Sequence, residues 1–537
     1  MDTMKILSKT QSICPVCRRP VAAYYIQEDG GSDGTCETVC DGDMNAVVFF
    51  VQDCPEHGRF RTLASERADD FKEWVKNPVI NIPPKQVITG GMSRRRGHGE
   101  NEGLSGLDSE CPLHCGNCPD HLQTACCVLI DVTRRCNQHC PYCFAEAGDT
   151  TPEISELLHG GSVQFKQNFN SAEPSLEEIG AKYDWLIEQG EEGREFNIQL
   201  SGGEPTVRED LPEIIRMARD KGFQYIQINS NGRRLAEEEG YAQVLKDAGA
   251  SVIFMQFDGT GDDIYMKLRG EPLFNKKVQA IRNCEKAGLA VTLVPTVVRG
   301  VNDDNIGEIM DFLVENVNVV KGVHFQPASF FGRYPEGDEP EGRITMFGLL
   351  RELEAQRPAF KYSDSLPIST GHTLCCFYST YIREPDGSIR CTISPKQREK
   401  GVSCCDTTTL NNCCGEPGNG VVSVGCCDMT RADQLEVIKK DRDYVLDKWD
   451  MKPPEEACFC CKNSETDFAE TKYKSSEEIT DMDEFLKYYR RNTFTVTGMA
   501  FQDLTNLDAE RLKRCRVVQL TDDYRLIPFC AYNTIYR

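Results

Sequence analysis

Three cysteines in the stretch CNQHCPYC, Cys136, Cys140 and Cys143, stand close enough to act together, with Tyr142 just before the last. Thiolates so spaced on one loop can each bind one iron of a [4Fe-4S] cube, which ordinarily takes four protein thiolates; the fourth iron is then open to a substrate or cofactor. A single zinc ion is the other chemistry this spacing permits, with His139 as its fourth ligand. Just upstream, CPLHCGNCPDH sets Cys111, Cys115 and Cys118 in a second compact triad beside His114 and His121. Near the start, CPVC supplies Cys14 and Cys17, Cys36 and Cys40 follow, and CPEHG adds Cys54 and His57. Two such knuckles suit one tetrahedral metal, either iron of the rubredoxin kind or structural zinc.

The chain holds 28 cysteines, and residues 144 to 374 contain only Cys284. Its first residues, MDTMKILSKTQSICPVC, lack the apolar core of an export signal, so a cytoplasmic setting is expected. In that reducing compartment such density reads as metal or redox chemistry rather than a disulfide framework.

The cysteine-poor centre must position these ligands. It alternates short β-branched and aromatic runs with helix-period segments. The runs are CVLIDV (127–132), FNIQL (196–200), QYIQIN (224–229), SVIFMQF (251–257), AVTLVPTVV (290–298) and GVHFQPAS (322–329). Between them lie PSLEEIGAKYDWLIEQG, with a capping box from Ser175 to Glu178, then EDLPEIIRMARDKG, RRLAEEEGYAQVLKDAG, NKKVQAIRNCEKAG and NDDNIGEIMDFLVENV. Six strands so spaced predict an α/β fold, a parallel sheet wrapped as part or all of a barrel with its chemistry at the strands' C-terminal ends. An open doubly wound sheet is the alternative the pattern allows.

At 537 residues the chain exceeds one ordinary core, and two to four structural units are expected. Lys and Arg total 61 against 84 Asp and Glu, a net charge of -23 spread along the chain, which argues against a nucleic-acid surface. No run of about 18 apolar residues appears, so no transmembrane segment is expected.

CNQHCPYC resembles the CxxxCxxC motif of the radical S-adenosylmethionine (SAM) superfamily, whose fold is a partial (β/α)6 barrel. The resemblance implies that the open iron chelates SAM and that an electron from the reduced cluster yields a 5'-deoxyadenosyl radical, which makes Cys136, Cys140 and Cys143 the catalytic ligands. In LSGGEPTVRED, Gly202, Gly203, Glu204 and Pro205 resemble the superfamily's GGEP stretch, which engages the methionyl ammonium. Glycines let the main chain approach and a carboxylate offsets a cation. The same register implies Asn229, Ser230 and Asn231 in NSNG for ribose or carboxylate, Asp258 after strand four, Thr296 on strand five, and Tyr142 against adenine.

The order of the flanking motifs, ending in MAFQDLTNLDAERLKRC and IPFCAYN, is similar to the branch that holds the tetraether lipid synthase and the radical C-methylases of dihydropterin. That branch carries auxiliary [4Fe-4S] clusters and forms carbon–carbon bonds at unactivated carbon. The implied organisation is an N-terminal metal-binding domain over 1–85, a linker and auxiliary cluster loop over 86–125, the barrel over 126–345, and a cysteine-rich auxiliary region over 346–537. Cys111, Cys115 and Cys118, and also Cys375, Cys515 and Cys530, are its candidate auxiliary ligands; Arg516 stands where the branch is expected to place another cysteine. Between Cys391 and Cys461 lies an insert with paired cysteines at 404, 413 and 426 and CFCC at 458, fit for extra clusters or for a disulfide- or zinc-stapled cover. The basic run at 90–100 reads as a solvated linker. The implied activity is a radical SAM transferase acting on a small-molecule or lipid substrate by methylation or alkyl coupling, with a ferredoxin or flavodoxin as reductant. The alternative from another class is a non-catalytic iron–sulfur carrier or cluster-assembly factor.

Overall fold

The computed structural model describes residues 5–29, 46–77, 120–147, 173–190, 196–335, 343–368, 371–393 and 488–537, with shorter pieces within 79–84 and 111–118. Cys36, Cys40, the basic run and the paired cysteines from 404 to 461 lie outside the described residues.

Four antiparallel strands in sequential order open the chain: β1 (Lys5–Ile13), β2 (Pro20–Asp29), β3 (Ala46–Cys54) and β4 (Gly58–Ser65). The short helix α1 (Ala68–Trp74) follows and buries Phe71 and Trp74. The Trp74 indole N–H donates to the Thr373 carbonyl at 2.7 Å, which ties this unit to the rest.

The central sheet contains β5 (Cys127–Thr133), β6 (Asn197–Gly202), β7 (Ile226–Ser230), β8 (Val252–Gln256), β9 (Ala290–Val294), the two-residue β10 (Thr296–Val297) and β11 (Val320–Pro327). Strands β5, β6, β7, β8, β9 and β11 are neighbours in that order and all parallel. Sequential order in one direction is barrel winding; a doubly wound sheet reverses beside its first strand. The strands are buried on both faces, Val128, Ile130, Ile198, Leu200, Ile226 and Ile228 among them, because helices cover the outside.

Those helices are α2 (Leu176–Gln189), α3 (Leu211–Asp220), α4 (Arg233–Glu237), α5 (Tyr241–Ala248), α6 (Asp262–Arg269), α7 (Phe274–Lys286) and α8 (Ile306–Glu315). The capping box at α2 forms as expected, with Ser175 Oγ accepting from Glu178 N at 3.2 Å and Ser175 N donating to Glu178 Oε2 at 2.8 Å. The segment read as one helix over 233–249 is two, because Gly240 takes φ +85 and restarts the chain in a new direction. The run 290–298 is likewise interrupted at Pro295, which cannot donate to the ladder.

After α9 (Met346–Gln356), further strands join the sheet: β12 (Leu366–Pro367), β13 (Cys376–Arg383), β14 (Ile389–Cys391) and β15 (Thr493–Met499). Strand β15 lies parallel beside β11, with β13 antiparallel on its far side. At the opposite edge β16 (Val517–Leu520) pairs parallel with β5, and β17 (Leu526–Pro528) antiparallel with β16. The residues that follow β15 and β17 touch: the rings of Phe501 and Phe529 are 4.7 Å apart, and Gln502 N donates to Cys530 Sγ at 3.2 Å. Among the described residues no helix is long and apolar enough to cross a membrane.

Candidate active site

A cavity of about 360 Å³ occupies the C-terminal ends of the parallel strands. Cys136, Cys140 and Cys143 border it from the loop after β5. That loop lacks regular secondary structure, so its carbonyls are satisfied from elsewhere, chiefly by arginines. Arg333 donates to the carbonyls of Cys140 and Ala147, both at 2.8 Å, and exchanges backbone hydrogen bonds with Cys143. Arg269 reaches the Tyr142 carbonyl at 2.7 Å, Arg233 that of Asn137 at 3.0 Å, and Arg537 those of Phe144 and Ala145.

The donor set fits an iron–sulfur cube better than one ion. Burial pushes the Cys136 thiol up to about 12, so a thiolate there requires a metal's positive charge beside it. Gln138, in the same loop and also on the cavity wall, has a buried Nε2 with no hydrogen-bond partner among the described residues. His139 is exposed, with its Nε2 3.1 Å from Arg333 Nη1, and does not turn in as a fourth ligand.

Gly202 and Gly203 carry the loop after β6 against the cysteine loop. A Cβ on Gly202 would fall 2.0 Å from the Thr133 carbonyl oxygen, and one on Gly203 2.1 Å from that of Arg135. Glycine is therefore required at both for the two loops to touch. Glu204 is 2% exposed, and its carboxylate accepts from Thr206 N, Thr206 Oγ1, Ser230 Oγ and Asn231 N at 2.6–3.1 Å. Burial raises its pKa, and among the described residues no cation forms a salt bridge with it. A carboxylate held by neutral donors at a cavity wall suits an incoming ammonium. Pro205 opens the 3₁₀ turn Pro205–Val207 behind it.

Asn229, Ser230, Asn231, Tyr142 and Thr296 border the cavity. Asp258 does not: it is fully buried behind the wall and grips Arg269 through two hydrogen bonds of 2.7 Å. It acts on the cavity through that arginine, which also reaches Thr296 Oγ1 at 3.0 Å, and through Thr296 itself, whose backbone N donates to Asp258 Oδ1 at 3.1 Å.

Several wall residues escaped sequence reasoning. Gln199, Gln227, Gln256 and Gln326 project inward from β6, β7, β8 and β11, and His324 and Phe254 lie among them. A signal was present, since four of the six quoted strand runs carry a glutamine among apolar residues. Lys277 of α7 is buried beneath the wall and donates to the Asn231 carbonyl at 2.6 Å and to Gln256 Oε1 at 3.0 Å. Burial lowers it to about 8.

Nine of the other described cysteines form three groups. Cys14, Cys17, Cys54 and His57 place their donor atoms within 4.8 Å of one another. Cys17 Sγ and Cys54 Sγ are 3.9 Å apart, and His57 Nδ1 is 3.8 and 3.5 Å from the sulfurs of Cys14 and Cys54. A tetrahedral ion with metal–sulfur bonds of about 2.3 Å and a metal–nitrogen bond near 2.0 Å needs edges of about 3.5–3.8 Å. The second group is Cys111, Cys115 and Cys118, in which the Cys111 thiol and burial push Cys115 well up. In the third, burial with Cys530 and Cys375 nearby does the same to Cys515, and Arg511 Nε donates to Cys375 Sγ at 3.4 Å. These two groups adjoin: Cys115 and Cys530 share one apolar cluster, and His121 Nε2 lies 2.8 Å from the Cys515 carbonyl oxygen.

Comparison with known proteins agrees with this geometry. The family described as the Radical SAM superfamily matches residues 130–313, and that described as the HMPTM N-terminal zinc ribbon domain matches residues 6–66. The chain is 32% identical to the 7,8-dihydro-6-hydroxymethylpterin dimethyltransferase of Methanocaldococcus jannaschii, over 98% of its own length and 94% of that protein. It is 33% identical to the Fe-coproporphyrin III synthase of Methanosarcina barkeri over 35% of this chain and 41% of that one. With the GTP 3',8-cyclase of Nautilia profundicola it shares 27% identity over 37% of this chain and 55% of the other. The chain belongs to the radical SAM superfamily of enzymes and, over nearly its whole length, to the family of the Methanocaldococcus jannaschii dimethyltransferase.

Proposed function

We infer that this chain is a radical SAM C-methylase whose substrate is a small polar heterocycle of the dihydropterin kind. The observation that carries the reading is one cavity bordered by the cysteine loop, the Gly202–Glu204 turn and a wall of side-chain amides. Cys136, Cys140 and Cys143 would hold a [4Fe-4S] cluster, and the residues that engage SAM would be Gly202, Gly203, Glu204, Asn229, Ser230, Asn231 and Thr296, with Tyr142 against the adenine. When bound, these groups supply a 5'-deoxyadenosyl radical that takes hydrogen from carbon.

The chain's own part is to bind, orient and exclude water. Glu204 meets the methionyl ammonium with its carboxylate fixed by four donors, so little rotational freedom is lost on binding. Arg269, locked by Asp258, and Arg333 hold the loop carbonyls of Tyr142 and Cys140 in fixed hydrogen bonds. Phe331, Phe501 and Phe529 pack against the side near Cys530 and keep water from a carbon radical. The glutamine-bearing wall favours a heterocycle over an alkyl chain, which would leave the Gln256 amide N–H₂ without a partner.

Cys111, Cys115 and Cys118, and Cys375, Cys515 and Cys530, are the candidate ligands of auxiliary clusters, fed by a ferredoxin or flavodoxin. The test is anaerobic reconstitution, reduction, and incubation with 7,8-dihydro-6-hydroxymethylpterin, SAM as the radical source, and a one-carbon donor, either a second equivalent of SAM or a methylene-bearing reduced pterin. The expected products are 5'-deoxyadenosine and a pterin heavier by one or two methyl groups. Deoxyadenosine without a methylated pterin would remove the substrate, and no deoxyadenosine at all would return the chain to the class of carriers.

A further inference from the structure

Alternation along β11 turns His324 toward the barrel interior, where it borders the cavity. Its Nδ1 lies 2.9 Å from Thr497 Oγ1, on the residue paired with it in β15. Thr497 Oγ1 also donates to the Val323 carbonyl at 3.1 Å. A hydroxyl has one hydrogen, so toward the imidazole Thr497 accepts, and Nδ1 carries the ring proton. Burial holds the ring neutral, with a pKa lowered to about 4. Nε2 is then an unprotonated lone pair, and among the described residues it has no hydrogen-bond partner. The ring packs at 5.3 Å from Phe254 on β8, an apolar flank for a planar ligand.

Gln256, also on β8, is oriented by equally simple logic. Lys277 Nζ can only donate, so the amide oxygen faces it and the amide N–H₂ is left for the cavity. The wall thus offers one fixed acceptor and one fixed donor on strands separated only by β9.

We propose that His324 and Gln256 form the substrate-reading subsite of the barrel: His324 Nε2 accepts a ring N–H of a planar nitrogen heterocycle, and the Gln256 amide donates to an acceptor on the same ligand. This rests on the heterocycle reading above and adds the polarity of each contact, which selects ligands by where they carry hydrogen. A ring nitrogen bearing a lone pair at that position is rejected, because two acceptors then face each other across a buried contact.

The test measures binding to the reconstituted, SAM-loaded enzyme of 7,8-dihydro-6-hydroxymethylpterin and of analogues methylated at each ring N–H in turn. For the unaltered enzyme, one methyl position should weaken binding about tenfold, the loss expected of a buried hydrogen bond. His324→Phe keeps a ring against Phe254 but has no acceptor; it should weaken the parent pterin by a similar factor and be indifferent to that one methyl. Thr497→Val, which releases the tautomer while sparing His324, should lie between the two. If His324→Phe lowers every analogue equally, the residue only packs and the proposal fails. If the unaltered enzyme binds no pterin, the heterocycle reading itself falls and takes this subsite with it.

Discussion

A buried charge beside the cysteine loop is stable only with its partner fixed, and the pair Asp258–Arg269 shows how. Both are at most 6% exposed, and they share two hydrogen bonds of 2.7 Å. Breaking a buried pair by removing one charge costs about 3–5 kcal/mol. Asp258→Asn should therefore lower the thermal midpoint of the holoenzyme by several degrees. SAM affinity of the folded fraction should fall less than in Glu204→Gln, which removes the carboxylate offered to the ammonium; calorimetric titration of both variants checks the ranking. Unchanged stability with lost SAM binding in Asp258→Asn would place this residue on the cofactor instead. The sequence alone read Asp258 as a cavity residue because it follows strand four in register. It ends up behind the wall because β8 stops at Gln256, and the turned chain meets Arg269. That arginine ends α6, a helix absent from the sequence reading, so nothing local announced the pairing.

At the scale of elements, the site is a contact between two loops, and the glycines of GGEP make it. Gly203 N donates to the Thr133 carbonyl and Glu204 N to that of Arg135, both at 2.9 Å. With a methyl group at Gly203 the Arg135 carbonyl must move, and Cys136 is its chain neighbour. Gly203→Ala is expected to lose about four irons per chain, the content of one cube, on anaerobic reconstitution, read as iron per chain and visible absorbance. Gly371→Ala, with nothing among the described residues within 4 Å of the added carbon, should load normally. Equal loading of both would show that the loops tolerate separation. The strands and helices that hold these loops were largely legible, because period and capping are local: Ser175 and Glu178 cap as their spacing implies. What was not legible was a break set by one backbone angle, as at Gly240, or by one missing donor, as at Pro295.

At the scale of the whole molecule, the chain's two ends are brought together around the barrel. Pairing of β15 with β11 and of β16 with β5 joins residues far apart in the chain and leaves no periodic trace, which is why those segments could be read beforehand only through their cysteines and the motifs around them. The N-terminal sheet docks on the link between these late strands. Thr10 Oγ1 and Tyr25 OH donate to Asp508 at 2.6 and 2.9 Å, Gln52 Nε2 to the Leu504 carbonyl at 3.0 Å, and Thr62 Oγ1 to that of Thr505 at 2.8 Å. Asp508 in turn caps α10 (Ala509–Lys513), which leads to Cys515. The metal group Cys14, Cys17, Cys54 and His57 sits at the hairpin ends of this sheet, and its one imidazole with three sulfurs suits zinc better than rubredoxin iron, which takes four thiolates. Structural zinc contributes directly to folding, so its loss should be felt along the docked surface. A variant with Cys136, Cys140 and Cys143 all changed to Ala should retain one zinc per chain while losing about four irons, the content of one cube. Cys54→Ser should lose the zinc and unfold at lower temperature. Elemental analysis beside thermal unfolding decides it: zinc that disappears with the three barrel cysteines, or a Cys54→Ser chain that keeps both metal and stability, would separate the N-terminal group from the role its geometry gives it.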